Sequence, residues 1–198
     1  MSGERAADLI QPGEREPAPG RLGVVQAFVN SFWDLDSGSG EELLGSRDEL
    51  RDWLRGRDLL DADAKVGAAD LARALEVREG LRALAFVNNG VSIREPELRA
   101  LEGIGADVEV RVAVDGPSFE QVRRDRVDGA VGLLLAIVAE AMLDGSWRRM
   151  KACPGRHCGW VFYDRSRNGT GRWCSMSVCG GREKARAYYR RRTVEARR

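Results

Sequence analysis

The chain has 198 residues, enough for one large domain or two smaller ones with a true hydrophobic core. Its formal net charge of +1 hides an uneven distribution, because from Arg148 onward fifteen Lys and Arg stand against three acidic residues. The preceding part is net acidic. This asymmetry predicts that the basic C-terminal part binds a polyanion. The longest apolar run, residues 130–143, is too short to span a membrane.

Residues 1–20 are polar and contain several Pro and Gly, so the sequence predicts a disordered tail. The same residues carry no secretory signal, which predicts a soluble cytoplasmic protein. Residues 22–33 form the first apolar segment. Their spacing fits a helical stripe, but their β-branched residues fit a strand equally well, and both interpretations stay open.

Three stretches that follow predict helices. Ser46 with Glu49 has the spacing of a capping box and predicts the start of a short helix. Residues 68–87 give the clearest helical pattern, since apolar residues recur there at intervals of three and four. Ser92 with Glu95 is a second capping box, followed by apolar residues that are expected to face inward: Leu98, Leu101 and Ile104.

A strand and a buried helix complete this half of the chain. Residues 107–114 alternate Val with other residues, which is typical of a half-buried strand, and we assign its partner to residues 118–122. A mostly apolar helix is predicted from about 127 to 143. The elements together predict an α+β fold, with a mainly helical N-terminal domain over residues 21–146 that contains a small β hairpin.

All four cysteines lie in one short window, as the pairs Cys153/Cys158 and Cys174/Cys179 with four residues inside each pair. Four thiolates can close a tetrahedron around one Zn²⁺ and leave no open position, so the predicted site is structural. Two disulfides would need an oxidising compartment, and four unrelated thiols would rarely cluster in this way. His157 adjoins a complete set of four thiolates and is interpreted as a bystander.

The residues around the cysteines predict a hairpin and a helix. Residues 159–173 are rich in aromatics and are interrupted by Asn168-Gly169, which predicts two short strands joined by a turn. After Cys179, Lys, Arg and Ala favour a helix. This order is the outline of a treble-clef zinc finger, which we place at residues 150–192, followed by a basic tail at 193–198.

The finger carries a family resemblance. The run CGWVFYDRSRN, then RWCSMSVCGGR and a basic helix, resembles the CGNR zinc finger, which closes bacterial proteins whose N-terminal part is the ABATE domain. Upstream, VVQAFVNSFWD and SRDELRDWLRGRDLL resemble that domain more loosely. The signature departs at Gly181, where the family usually has Asn. The resemblance implies a stress-induced transcription regulator with DNA as its partner.

Catalysis is not expected. The single histidine, His157, lies inside the cysteine window without a nucleophile or base as partner, which excludes a Ser-His-Asp triad and a His-rich open metal site. No Gly-rich phosphate-binding loop follows a strand. The carboxylates of the acidic half are scattered among Arg, as they are on solvated helix faces. The sequence therefore predicts a protein that is not an enzyme.

Nucleic-acid binding is the better supported function. Lys and Arg that meet phosphates release counterions and give salt-dependent affinity, while Arg can pair with guanine and Asn with adenine. The alternatives are a solvated basic surface, or an adaptor whose finger docks an acidic protein. The candidate nucleic-acid contacts lie on the predicted turn and the last helix: Arg165, Arg167, Asn168, Arg172, Arg182, Lys184, Arg186, Arg190 and Arg191.

The N-terminal domain has a predicted core but no evident chemistry. Its predicted roles are binding of a small-molecule effector or formation of a homodimer, and the sequence does not choose between them. Because this domain is acidic and the finger is basic, a second hypothesis is that it partly screens the finger from DNA. Residues 145–150 are predicted to form the short linker between the two.

Overall fold

The computed structural model describes residues 16–33, 41–93, 98–99, 101, 108–113, 116–121 and 123–195. Within these ranges the chain is mainly helical, with three two-stranded antiparallel sheets, so the predicted α+β class is confirmed. The helices are α1 (Leu22–Val29), α2 (Arg47–Arg55), α3 (Ala68–Val87), α4 (Val127–Leu143) and α5 (Gly181–Glu195). The strands are β1 (Phe32–Trp33), β2 (Glu41–Glu42), β3 (Val108–Ala113), β4 (Gly116–Gln121), β5 (Met150–Ala152) and β6 (Val161–Tyr163).

The first apolar segment, whose type the sequence left open, is a helix followed by a short strand. α1 buries Val25, Phe28 and Val29, and the chain then turns into β1, which pairs with β2. β-branched residues are tolerated in this helix because its apolar side chains are buried against α3 and α4. Tertiary packing therefore decided between the two interpretations.

Helices α2, α3 and α4 follow the sequence patterns closely. Ser46 Oγ accepts a hydrogen bond of 3.2 Å from the backbone N–H of Glu49, as expected at the start of α2. α3 spans the predicted residues, and α4 is mostly apolar, with Val131 and Leu134 fully buried in the main core. None of the helices in the described ranges combines the length and the apolar character that crossing a membrane requires.

The predicted β hairpin of the N-terminal domain is present. β3 pairs antiparallel with β4, from Val108 opposite Gln121 to Ala113 opposite Gly116, and packs on α4. The partner strand begins at Gly116, two residues before the assigned position. Residues 1–15 of the predicted tail, and the predicted features at Glu95 and Ile104, lie outside the described residues.

A third hairpin connects the two parts of the chain. β5 pairs with β6, from Met150 opposite Tyr163 to Ala152 opposite Val161, and the loop between them carries the first cysteine pair. The predicted hairpin across Asn168-Gly169 is wrong, because β6 pairs upstream with β5 and residues 164–175 contain no strand. The finger thus still consists of a hairpin and a helix, but the hairpin lies before the turn at Asn168-Gly169.

The β5–β6 hairpin belongs to both halves of the molecule. Met150, Ala152 and Val161 are buried in the same apolar core as α1, α3 and α4, whereas Phe162 packs with the cysteines. Successive residues of a strand point to opposite faces, so Val161 and Phe162 reach different cores. Residues Ser146–Arg149 form a 3₁₀ turn whose Trp147 is buried, so the predicted linker is packed into the main core.

Amide side chains of the N-terminal domain complete this junction. Asn30 and Val161 exchange two hydrogen bonds of 2.8 Å, from the Asn30 amide nitrogen to the Val161 carbonyl and from the Val161 N–H to the Asn30 amide oxygen. Asn88, at the end of α3, donates to the carbonyls of Trp147 and Met150. A buried strand edge thereby gains partners that a short strand cannot supply by itself.

Candidate metal centre and its basic surroundings

The four cysteines converge at one buried point. The sulfur atoms of Cys153, Cys158, Cys174 and Cys179 all lie within 4.8 Å of one another. Two of the separations are 3.7 Å, from Cys158 to Cys174, and 3.6 Å, from Cys174 to Cys179. Zn–S bonds of about 2.3 Å in a tetrahedron put sulfur atoms about 3.8 Å apart, so the cluster has the dimensions of a zinc site.

The first cysteine pair is held by the loop between β5 and β6. The backbone N–H of Cys153 donates to the Trp160 carbonyl, and that of Cys158 donates to the Gly155 carbonyl, both at 2.9 Å. A side chain at Gly155 would bring its Cβ within 3.1 Å of Cys179 Sγ, so it would crowd the sulfur cluster. His157 is exposed and lies outside the sulfur cluster, as the sequence predicted.

The second pair lies at the start of the last helix. Ser175 Oγ accepts a hydrogen bond of 3.3 Å from the N–H of Val178, which begins the turn Met176–Gly180 that carries Cys179 into α5. Gly181 has an ordinary helical φ of −63°. A Cβ at Gly181 would meet only the Met176 carbonyl, at 3.4 Å, so the position accommodates the Asn that relatives usually carry.

The electrostatics of the four thiols favour a cation at this cluster. Hydrogen bonds from the thiols of Cys158 and Cys174 lower the pKa of Cys153, and the same contacts raise the pKa of both donors. Proton sharing of this kind lets a buried group of thiols hold little negative charge. Zn²⁺ removes that restriction, because it binds thiolates and displaces their protons.

A small apolar core surrounds the sulfur atoms. Trp160 and Phe162 are almost fully buried against the cysteines, and Trp173 is partly buried beside them. These aromatic side chains exclude water from the thiolates. The four cysteines therefore form a closed zinc-finger site for one structural Zn²⁺. Their four thiolates fill the tetrahedron and leave no coordination position open.

A buried ion pair that the sequence analysis missed lies beside the zinc site. Lys151 Nζ is 2.8 Å from Asp164 Oδ2, and their side chains are 7 % and 2 % exposed. The Lys151 ammonium also donates to the carbonyls of Gly169 and Gly171, at 2.5 and 3.0 Å. Lys151 thereby closes residues 164–172, which we call the 164–172 loop, onto strand β5.

The Asp164 carboxylate organises the same loop from within. It accepts hydrogen bonds from the N–H groups of Ser166 and Gly171, at 3.0 and 2.7 Å. Burial acts to raise the pKa of Asp164, but the hydrogen bonds from Lys151 and Ser166 outweigh it and lower the pKa to about 2. The carboxylate is therefore charged, and the loop is built around a fixed anion.

Gly171→Ala tests this arrangement. A Cβ at Gly171 would lie 2.6 Å from Asp164 Oδ1, so the substitution must displace the buried carboxylate. We expect a loss of about 2–4 kcal/mol in the free energy of unfolding, measured by urea denaturation of the zinc-loaded chain. Gly169→Ala is the matched control. A Cβ at Gly169 would meet no neighbouring atom, so its only cost is the left-handed φ of +61°, about 1 kcal/mol. Equal losses in the two variants would contradict the packing argument.

The loop displays four of the predicted nucleic-acid residues, which differ in their surroundings. Arg167, Asn168 and Arg172 are exposed. Arg165 instead donates to the Pro17 carbonyl at 2.8 Å and lies 3.3 Å from the Glu16 carboxylate. This contact is an ion pair between the acidic half and the basic finger, of the kind that the screening hypothesis requires.

The remaining predicted contacts lie along α5, which projects from the zinc site. No side chain of residues 181–193 is buried, and Tyr188 and Tyr189 are 49 % and 66 % exposed. Both tyrosines are therefore largely exposed to solvent rather than packed against the described part of the protein. The helix places in solvent its predicted basic contacts: Arg182, Lys184, Arg186, Arg190 and Arg191. Arg186 also pairs with Glu183 at 2.6 Å, one turn before it.

Four buried cysteines with the spacing of a zinc site, held by a hairpin and the start of a helix, define a zinc-finger protein. Residues 149–192 match the CGNR zinc finger, and residues 22–145 match the ABATE family, described as "Putative stress-induced transcription regulator". The chain belongs to the ABATE family and carries a CGNR zinc finger at its C-terminal side. A search of curated proteins finds no match to it.

Proposed function

We propose that this zinc-finger regulator acts by binding duplex DNA through the 164–172 loop and α5. The observation that carries the proposal is the state of α5: a helix without one buried side chain among residues 181–193, held by the zinc site at one end. Most helices in proteins are stabilised by packing of an apolar face. A basic helix that lacks such packing is suited to a polyanionic partner.

The charge of α5 selects that partner. Residues Gly181–Glu195 contain six Lys and Arg against two Glu, so two copies of the helix would repel each other. Tyr188 and Tyr189 lie among these cations as an edge-to-face pair with ring centroids 5.7 Å apart. Basic side chains bind phosphates, and the family's role in transcription favours DNA over RNA as their source.

A salt titration tests the proposal. Fluorescence anisotropy follows binding of the zinc-loaded chain to a labelled duplex. The logarithm of the binding constant is expected to fall linearly with the logarithm of the salt concentration. Each phosphate contact contributes about 0.9 to that slope, so Arg190→Ala and Arg191→Ala should each lower it by about this amount. Arg73→Ala is the control, since Arg73 is an exposed arginine on α3, away from the finger.

Two outcomes would contradict DNA binding. If the chain does not bind duplex at low salt, the runner-up function is favoured: an adaptor whose basic finger docks an acidic protein surface. If Arg73→Ala lowers the slope as much as Arg190→Ala, the contacts do not belong to α5. The proposal gives the chain no catalytic role, since its one histidine is an exposed residue of the zinc loop.

For the N-terminal domain, we infer a site for the predicted effector in a cleft of about 370 Å³ at the junction with the finger. Its lining includes Phe32, Arg82 and Phe86 of the N-terminal domain. The first cysteine loop contributes Pro154, Gly155 and residues 157–159. A ligand here would touch both halves of the molecule, so its binding would be coupled to the state of the finger.

The predicted homodimer stays a prediction, which sedimentation of the zinc-loaded chain would test.

A further inference from the structure

We infer that the two basic elements divide the work: the 164–172 loop reads base edges, positioned by the buried pair Lys151–Asp164, and α5 supplies affinity for phosphates. The inference rests on the proposed DNA binding and goes further, because it assigns sequence specificity to one element. It also makes Lys151 and Asp164 positioning residues, which need not touch DNA themselves.

The first support is the rigidity of the loop. Besides the contacts of Lys151 and Asp164, the Arg149 guanidinium donates to the carbonyls of Asp164 and Ser166, at 2.7 and 2.8 Å. The N–H of Thr170 donates to Ser166 Oγ at 3.2 Å. A loop whose backbone groups are bonded at so many points loses little conformational freedom on binding, which preserves affinity and fixes its side chains in register.

The second support is that the pair is ionic and buried. Apolar side chains of similar volume would stabilise such a position at least as well, because desolvation offsets most of the attraction between buried charges. A charged pair offers what apolar residues lack, namely bonds to defined backbone groups. Lys151 uses its three donors on Asp164, Gly169 and Gly171, and so fixes the path of the loop rather than only filling space.

The third support is the chemistry at the tip. Asn168 is the only Asn or Gln within the finger, residues 149–192, and it lies exposed on the loop beside Arg167. An amide can pair with both edge atoms of adenine, and a guanidinium with those of guanine. The adjacent Gly169 takes a left-handed φ of +61° and donates to the Ser166 carbonyl, which turns the chain sharply just after Asn168.

Helix α5 offers a different set of groups. Between Arg182 and Arg192 it presents long cationic side chains, with no amide or serine hydroxyl among them. The one hydroxyl of its last turn, on Thr193, donates back to the Tyr189 carbonyl at 3.0 Å. Gly181, at the start of this helix, has no side chain with which to read a base edge. Long flexible cations on an unpacked helix suit phosphates, which need no fixed orientation.

The test measures specificity separately from affinity. Duplexes that the zinc-loaded wild-type chain prefers are selected from a randomised pool, and the ratio of its affinities for the selected and a scrambled duplex is measured at one salt concentration. Asn168→Ala is expected to lower this ratio about tenfold or more while leaving the salt slope unchanged. Arg191→Ala, the control on α5, should weaken both duplexes equally, lower the slope by about 0.9 and keep the ratio.

Lys151→Met tests the positioning role. We expect it to keep zinc, because Lys151 is not a ligand, and to lower the specificity ratio about as much as Asn168→Ala. Zinc content and near-ultraviolet circular dichroism identify a variant that has lost its fold. In that event Ser166→Ala takes its place, since it removes the hydroxyl that accepts from the Thr170 N–H and hydrogen-bonds the Asp164 carboxylate, and it should lower the ratio several-fold.

The results that would overturn the inference differ from those that would end the proposed function. A ratio that is unchanged in Asn168→Ala, or kept in both Lys151→Met and Ser166→Ala, removes specificity from the loop. Duplex binding by the wild-type chain without any preferred sequence does the same, although DNA binding would then still stand. Failure of the wild-type chain to bind any duplex ends both.

Discussion

Cys153→Ser and Cys174→Ser are expected to release the zinc and to unfold the C-terminal part of the chain. Structural zinc contributes about 10–16 kcal/mol to the folding of isolated fingers, as much as the whole stability of a typical domain. Elemental analysis should show one zinc in the wild-type chain and almost none in either variant. Thermal unfolding followed by circular dichroism should show that the melting temperature falls by roughly tens of degrees, because the free energy of zinc binding is lost.

The loss is expected to extend into the N-terminal helices. Met150, Ala152 and Val161 belong to the main core, and they are held in place by the loop that binds zinc. When that loop unfolds, α3 loses the buried strand against which it packs. Hydrogen exchange in α3 should therefore accelerate in Cys153→Ser.

The matched control for the zinc variants is His157→Asn. His157 adjoins Cys158 in the same loop but is exposed and lies outside the cluster, and Asn tolerates its left-handed φ of 59°. This variant should keep its zinc and its melting temperature within a few degrees. Retention of zinc in Cys153→Ser, or its loss in His157→Asn, would contradict the assignment of the ligands.

The zinc site and the long helices could be predicted because their signals are local. The paired cysteines need only spacing and the known geometry of thiolate coordination. Residues 68–87 and 127–143 carry apolar patterns longer than any strand, and the structure places α3 and α4 at these residues. Where one short pattern fits two structures, as in residues 22–33, only the packing against other elements decides.

The hairpin of the finger was misplaced for a physical reason. Asn168-Gly169 is a true turn, with Gly169 in the left-handed region, but its two arms are joined by Lys151 and Asp164 rather than by a ladder of backbone bonds. The strand that does pair with β6 is only three residues long, which is too short for an alternating pattern. A buried ion pair between residues far apart in sequence gives no local signal.

The junction between the two halves was hidden in the same way. Asn88 and Asn89 directly follow the last residue of α3. Their amides also bond the carbonyls of Met150, Ala152 and Arg172, which the chain reaches more than sixty residues later, as the numbering shows. The packed junction therefore replaces the picture of a finger on a short linker.

Arg82→Met is expected to destabilise the N-terminal domain strongly. Arg82 is 7 % exposed, and its guanidinium donates to the carbonyls of Val29, Phe32 and Gly159, at 2.6, 2.9 and 2.8 Å. Met retains most of the stem but leaves these carbonyls without their donor. Because buried polar groups cost free energy when they lose a charged partner, we expect a loss of about 3–5 kcal/mol in urea denaturation.

The effect of Arg82→Met should also reach the zinc loop, because the Gly159 carbonyl that Arg82 binds follows Cys158 directly. Competition with a chelator should therefore show weaker zinc binding in this variant.

Burial acts to raise the pKa of Glu79, but the charge and hydrogen bonds of Arg82 outweigh it and lower the pKa. A carboxyl with a lowered pKa contributes stability above its unfolded pKa of about 4.3 and loses it as the pH falls. The difference in stability between wild type and Arg82→Met should hence shrink in acid.

Arg73→Met is the control on the same helix. It removes an exposed ion pair of 3.5 Å with Asp128, which should cost less than about 1 kcal/mol. If Arg82→Met were as stable as Arg73→Met, the guanidinium would not be what joins the finger to the N-terminal domain.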